Sequence, residues 1–443
     1  MAQVNSIALA AACLVGSCAM YEPQPLDPER VLSSVLADLD ASDDPVTMRE
    51  AVRLMLAHNR HIVASRGSWE EARAVASVAA PLADPALSIG PVFLSGGSGT
   101  WGLEAAIGWV IPISGRREII DDRNTALADA ARVNAVAAAR REYLGLRVDL
   151  IAAVSNADRL GVERAISSVL ERIVEVQRSL GANATFTALE LQLLELEMLE
   201  QRSVATGAEA DTIRVRGSLA VRCGVAPERI AKLAGGVRPK LPKDLPRQSR
   251  LRQLLAEHPD LAMLRARYEV SEHMLRLEVR RQYPDLQMGG ELEREGGGNR
   301  FVLPLGIVVP LFGRNQGPIA RACASRKALR EEYRAAVREK LGELAGAYAV
   351  LEVRHAQYAK LDAQFDRRIQ GVRDLIVATV GNGRMDATSW ALALRRLHTA
   401  QRSRIAARSD IYTAWLQLEK SCGAPLLKFP GEPKAPKSAE VPK

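Results

Sequence analysis

The sequence predicts a mainly helical chain with a small β part, built by duplicating a unit of one hairpin and long coiled-coil helices. Three observations predict it. Four landmarks recur in one order at an offset of roughly 200 residues, each hairpin is followed by about 65 residues of helical pattern, and aromatics make up only 4% of 443 residues. Six phenylalanines are few for a globular core of this length, whereas an alanine-rich, aromatic-poor chain suits long helices packed side by side.

Taken in order, residues 1–18 read as a targeting segment. Ile7–Val15 is apolar but too short to cross a bilayer, and it ends in Leu14-Val15-Gly16-Ser17-Cys18. That ending is similar to a lipobox, in which small residues precede a cysteine that becomes acylated, so Cys18 is the candidate lipid anchor. Met1–Ser6 departs from the pattern in carrying no Lys or Arg. Residues 19–45 form an N-terminal extension. No later segment offers 18 uninterrupted apolar residues, so no transmembrane helix is expected, and export leads to the periplasm, the exterior or an outer-membrane barrel.

The first repeat is assigned to 46–234 and the second to 249–424, joined by a linker over 235–248 that contains Pro239, Pro242 and Pro246. Residues 83–87 (Ala-Asp-Pro-Ala-Leu) parallel Tyr283-Pro-Asp-Leu286, and Gly108–Arg116 parallels Gly306–Arg314. Helical pattern then runs to Gly181 and Gly381, and the repeats close at Cys223-Gly224 and Cys422-Gly423. A tail over 425–443, rich in Pro and Lys, is expected to be disordered.

Strands are expected over 86–113 and 285–311. Leu286, Met288, Gly290 and Leu292, then Phe301, Leu303, Leu305, Ile307 and Val309, alternate with polar or small residues, as do Leu87, Ile89, Pro91 and Phe93, then Trp101, Leu103, Ala105, Ile107 and Trp109. Period two places one face on an apolar medium and the other on water. Gln287, Glu291 and Glu293 fall on the wet face. Runs of about nine residues are long enough for a tilted strand to cross hydrocarbon; a half-buried sheet in a soluble protein would show the same alternation.

From Arg116 to Leu180 a helix would extend roughly 95–100 Å. Leu146, Leu150, Ala153, Ala157 and Leu160, and in the second repeat Val337, Leu341, Leu344, Tyr348, Leu351, His355 and Tyr358, step by threes and fours, a coiled-coil seam. His355 within that seam reads as packed and hydrogen-bonded. The net charge of +8 is spread along helices among acidic residues, so it reads as solvated helix faces, with neither the clustering nor the aromatics of a nucleic-acid surface.

Catalytic chemistry is not expected. No GxSxG, HExxH, Walker A or dinucleotide fingerprint is present. Cys223, Cys323 and Cys422 stand far apart with no CxxC, and His58 with His61 lacks a third ligand, so no metal or other cofactor is assigned. Cys223 and Cys422 occupy equivalent places, and a disulfide between them depends on whether their Cα atoms come within reach.

The repeated plan, with Thr47-Met-Arg-Glu-Ala-Val-Arg-Leu-Met-Leu-Ala-His-Asn59 and Val309-Pro-Leu-Phe-Gly-Arg-Asn-Gln-Gly-Pro318, resembles the TolC family of outer-membrane efflux proteins over about 46–423. The second segment resembles the branch serving heavy-metal pumps of the resistance-nodulation-division type, the cobalt-zinc-cadmium resistance component. The resemblance implies a homotrimer with four strands per chain in one twelve-stranded transmembrane barrel, continued by a periplasmic helical tunnel. It implies an outer-membrane lipid setting, and as partners an inner-membrane pump and a periplasmic adaptor. Gly181, Asn183, Gly381, Gly383, Arg384 and Asp386 would then lie at the periplasmic tip, where a threefold ring of Asp386 could meet cations. Gln287, Glu291 and Glu293 would line the barrel lumen. Other classes remain open from sequence: a periplasmic coiled-coil adaptor or scaffold lipoprotein, and a duct for type I secretion or drugs.

Overall fold

The structure, a computed structural model, describes residues 21–40, 46–94, 100–180, 187–230, 233, 237–295, 298–381 and 387–432. It divides into two compact units, 1–44 and 45–443. The first contains α1 (Pro28–Asp40), whose start is capped by Asp27 Oδ1 accepting from the Arg30 N–H at 3.1 Å. Val31, Leu32, Val35 and Leu36 form an apolar stripe on it and are exposed.

In the larger unit the first repeat runs α2 (Met48–His58), α3 (Arg60–Ala76), β1 (Ala86–Leu94), β2 (Thr100–Ile111), α4 (Arg116–Leu180) and α5 (Ala188–Cys223), followed by a single turn, α6 (Pro227–Ile230). The second runs α7 (Gln248–Ala256), α8 (Pro259–Arg280), β3 (Leu286–Glu295), β4 (Gly298–Val302), β5 (Leu305–Ile307), α9 (Gln316–Gly381) and α10 (Ala387–Cys422). The long helices match in length, 65 residues in α4 and 66 in α9, and α5 and α10 have 36 each.

The duplication extends to backbone chemistry. Asn59 caps α3 by accepting from the His61 N–H, while its Nδ2 donates to the Arg222 carbonyl at 3.2 Å, in the last turn of α5. In the second repeat His258 does the equivalent: Nδ1 accepts from the Asp260 N–H at 3.1 Å, and Nε2 lies 3.4 Å from the Lys420 carbonyl at the end of α10. Both α5 and α10 stop at a left-handed glycine, Gly224 (φ 65°) and Gly423 (φ 68°), where a Cβ would fall 2.5 Å from His58 Cβ or 2.7 Å from Pro259 Cδ. Each repeat is thus clasped shut at one point by a capping side chain and a Cβ-free helix end. Left-handed residues also precede both long helices, Gly115 and Asn315. They are 200 apart, whereas the Gly-Arg pairs aligned by sequence are 198 apart, so the second repeat carries two more residues between its last strand, aligned at Gly108 and Gly306, and the left-handed residue.

The helices pack in a series. α4 packs on α3 and α5 of its own repeat and on α8 and α10 of the other; α9 packs on α8, α10 and, more lightly, α7, all of its own repeat. The main core gathers at the junction of the repeats, with Met55, Leu146, Leu150, Leu219, Leu251, Leu351, Ile411 and Trp415 all buried. A smaller cluster, Ile166, Leu170, Val174 and Leu194, holds α4 to α5 further along.

Two buried polar contacts tie the repeats together, and both correct the reading of the charges as solvated faces. Arg147 of α4 and Glu419 of α10 are fully buried and bidentate, Nε to Oε2 at 2.9 Å and Nη2 to Oε1 at 2.8 Å. Glu419 Oε1 also accepts from the Leu426 and Leu427 N–H groups, at 2.8 and 2.5 Å. Arg147 lies 4.4 Å over the Phe429 ring and donates to Glu432, which also accepts from Tyr143 Oη. Residues 425–432 are therefore packed rather than part of a disordered tail: Leu427 and Phe429 are buried, and Lys428 bridges to Lys240 of the linker. Apolar anchors and a buried charge hold a segment that composition marks as loose. Farther along, Glu163 of α4 is buried and accepts from Gln201 of α5 and twice from Arg402 of α10, at 2.7–2.8 Å.

Cys223 and Cys422 are free and buried, their thiols pushed up by burial to about 12 and about 11. His355 is half-buried, with Nε2 3.4 Å from the Pro242 carbonyl.

Removing one partner of a buried ion pair strands the other charge. Arg147→Ala should cost about 3–5 kcal/mol, read as a lower denaturation midpoint, whereas the paired replacement Arg147→Met with Glu419→Leu should recover much of that loss. Burial holds His258 below its usual 6.5, against Asp260 and Glu343, with Lys340 acting in the same direction as burial. The unfolded chain then binds the extra proton, so this stability is present above about pH 6.5 and lost as pH falls below it. His258→Asn, which copies the Asn59 cap, should flatten thermal stability between pH 7 and 5; an unchanged pH profile would exclude His258 as its source.

Candidate conduit surface

The strands form one antiparallel sheet ordered β1-β2-β3-β4, with β5 also on β3. β4 and β5 are one strand in a single register, since Leu292 pairs Phe301 and Met288 pairs Leu305. It is interrupted at Leu303-Pro304, where proline has no N–H for the ladder and its carbonyl instead accepts from Gly289 at 3.0 Å. The register puts every alternation in phase. Leu87 pairs Ile107, Ile89 pairs Ala105, Phe93 pairs Trp101, Ala105 pairs Leu292 and Trp109 pairs Met288. One face is therefore apolar across the sheet up to its loop end, where Arg294 pairs Leu103 and Asn299.

Among the described residues nothing covers that face. Leu87, Trp101 and Leu305 keep 70–72% of their surface exposed, an arrangement water penalises at roughly 25 cal/mol per Å². Aromatics stand toward its two ends. Phe93 and Trp101 meet at the loop end with centroids 4.9 Å apart, and Trp109, Tyr283 and Phe312 lie toward the helices. Trp109 turns its indole N–H to the Ala83 carbonyl at 2.7 Å. Trp101 and Trp109 are eight residues apart, roughly 26 Å along a strand.

The opposite face is shallow and acidic. Gly90, Gly102, Ala106, Gly108, Gly289 and Gly306 place little above the backbone, and at Gly102 and Gly289 a Cβ would meet a neighbouring strand's carbonyl at 2.7 Å. Gln287, Glu291 and Glu293 all lie on this face, and the sheet adds Glu104, which pairs directly with Glu293. Arg300, across from Glu293 on β4, comes within 3.6 Å of it. Sequence reading passed over Glu104, although its place between Leu103 and Ala105 puts it in the polar phase of β2. Like charges on paired residues are unfavourable in a dry sheet and tolerable on a wetted one.

Cys18, Gly181, Asn183, Gly383, Arg384 and Asp386 lie outside the described residues. Gly381 is the last residue of α9. The helix pair leading there is stitched by Arg164–Glu209, Arg178–Glu195 and Arg202–Glu171, each at 2.7 Å. α5 restarts on a capping box in which Thr187 and Glu190 exchange bonds. Near this end Arg395 of α10 reaches Glu197 of α5 at 2.5 Å. Burial and the Arg402 guanidinium lower His398 to about 4, so its side chain is neutral beside the Glu163–Arg402 link. Among the described residues no group of three or more His, Cys, Asp or Glu is placed to hold a metal, and no helix is long and apolar enough to cross a membrane.

Residues 251–424 match the family model described as outer membrane efflux protein. Solved structures share the fold. A membrane protein from Pseudomonas aeruginosa is 17% identical with a TM-score of 0.71, covering 92% of this chain and 97% of its own. The outer membrane protein VceC from Vibrio cholerae is 16% identical with a TM-score of 0.66, covering 84% and 95%. The CmeC outer membrane channel of Campylobacter jejuni is 12% identical with a TM-score of 0.69, covering 92% and 94%. No functionally curated protein matches the chain in sequence. Its second repeat therefore matches the outer-membrane efflux protein family directly, and across most of its length the chain carries the fold of outer-membrane channels.

Proposed function

We propose that this protein is the outer-membrane exit duct of a tripartite efflux system, a homotrimer that passively conducts substrate delivered by an inner-membrane resistance-nodulation-division pump through a periplasmic adaptor. The observation that carries this reading is the uncovered apolar sheet face with a shallow acidic face behind it. In hydrocarbon the apolar face is satisfied, and the acidic face then belongs to water inside a closed barrel.

Closure requires other copies. β1 leaves one edge of the sheet unpaired and β4 with β5 the other, and unpaired backbone groups in lipid cost several kcal/mol each. The helices repeat the argument. α9 occupies in the second repeat the place of α4 in the first, yet among the described residues α4 packs on helices of both repeats and α9 on those of its own. Exposed Val350 and Val353 on α9, and Leu189, Leu193 and Leu196 on α5, are apolar surfaces that a neighbouring copy would cover. Three copies give twelve strands and a helical tunnel below them.

In that assembly Cys18 is the lipid anchor, and Gly181, Asn183, Gly381, Gly383, Arg384 and Asp386 form the periplasmic tip and aperture. Gln287, Glu291 and Glu293, joined by Glu104, line the lumen. The segment Val309–Pro318 favours heavy-metal cations as the cargo. No bond is made or broken; the duct shapes a path.

Detergent extraction from outer membranes followed by native mass measurement should give three chains per particle. A soluble monomer would sink the proposal. Val353→Glu, which puts a charge on the uncovered side of α9, should shift that mass toward monomer. In planar bilayers the channel should prefer cations, and Glu104→Gln with Glu291→Gln and Glu293→Gln should lower the cation-to-anion permeability ratio several-fold; an unaltered ratio would remove these residues from the lumen.

A further inference from the structure

A cleft of about 550 Å³ lies between α4, α8 and α9, just below the sheet. Three guanidinium groups line it, Arg123, Arg281 and Arg321, against one carboxylate, Glu278. Glu278 is already engaged, by Arg281 at 2.7 Å and by Asn315 Nδ2 at 2.8 Å. Arg123 donates from Nη2 to Asn124 Oδ1 at 3.0 Å, but its Nε is buried with no acceptor among the described residues. Among the described residues Arg321 forms no ion pair. The remaining wall is apolar, with Leu277 and the half-exposed Met274.

The position of the cleft gives this combination its meaning. Arg321 is the sixth residue of α9 and Arg123 the eighth of α4, so they sit roughly 8–10 Å down helices that start at the foot of the sheet. Trp109, Tyr283 and Phe312 mark that foot, and the headgroup layer beyond the hydrocarbon is roughly 5–8 Å thick. We propose that this cleft binds the phosphate headgroup of an anionic phospholipid of the inner leaflet, the unpaired arginines taking the phosphate oxygens and Met274 with Leu277 taking the first acyl methylenes. The proposal rests on the sheet being the membrane-embedded part. Apolar walls beside the cations select a lipid over a free anion, since inorganic phosphate gains nothing from them.

The cleft joins the first repeat's α4 to the second repeat's α8 and α9 and has no copy inside the first repeat, where Arg321 is replaced by Asp121. Asp121 is itself engaged, accepting from the Ala80 N–H at 2.7 Å. A lipid seated here would brace the inter-repeat boundary at the level of the membrane surface.

The test is native mass spectrometry of the full-length chain in detergent doped with phosphatidylglycerol or with phosphatidylcholine. The wild type should retain phosphatidylglycerol in preference. Arg321→Ala, at an exposed position, should weaken retention about fivefold, and Arg123→Ala with Arg321→Ala about thirtyfold, at about 1 kcal/mol per arginine; Arg→Lys at both should restore much of it. Equal retention of the neutral lipid, equal retention by the alanine variants, or displacement by millimolar inorganic phosphate would each overturn the proposal. Particle mass reports assembly and lipid adducts report the cleft, so failure of the channel reading and failure of this inference are read separately.

Discussion

Arg147 and Glu419 meet where no water reaches them, and the joining of the two repeats depends on that meeting. Burying either charge alone would cost several kcal/mol. Together they satisfy one another, and the rest of the site completes the bonding: the Leu427 carbonyl accepts from Arg147, and two N–H groups of the terminal segment donate to Glu419. One contact therefore fixes α4 against α10 and folds the chain's last described residues over the junction. Neither residue has a counterpart in the other repeat, where Ala347 and Ala220 stand. The duplication is symmetric in its helices and asymmetric in what ties them.

That division of labour suits the proposed assembly, in which each chain is extended by further copies. Caps and helix stops recur because each repeat must close on itself, and Asn59 with Gly224 is answered by His258 with Gly423. The inter-repeat links need no such counterpart in each repeat, since they form along one boundary. Along the same boundary the contacts change character, from the apolar core with Arg147 to the polar Glu163–Arg402–Gln201 group and then to Glu197–Arg395. Polar contacts bring direction and geometric selectivity where little apolar area is available to bury.

The sheet poses the opposite problem. Its apolar face is too exposed for water, its other face too acidic for a dry core, and both edges are open. In the proposed assembly, a membrane and two neighbouring copies would resolve all three at once. The small residues on the acidic face are consistent with that setting, because they leave room above the backbone for a solvated path.

The sequence by itself determined the element order, the duplication, the two-sided strands and the long helices, because each follows from local periodicity and from landmarks repeated along one chain. It also placed Gln287, Glu291 and Glu293 on one face, since strand phase is read residue by residue. Only the tertiary structure set Glu104 beside Glu293, because pairing of β2 with β3 joins residues nearly two hundred apart. It alone buried Arg147 and Glu163, which on an isolated helix look like any other solvated charge, and it alone packed 425–432. Whether a charge is wet or dry is decided by what another part of the chain brings to it, and no periodicity records that.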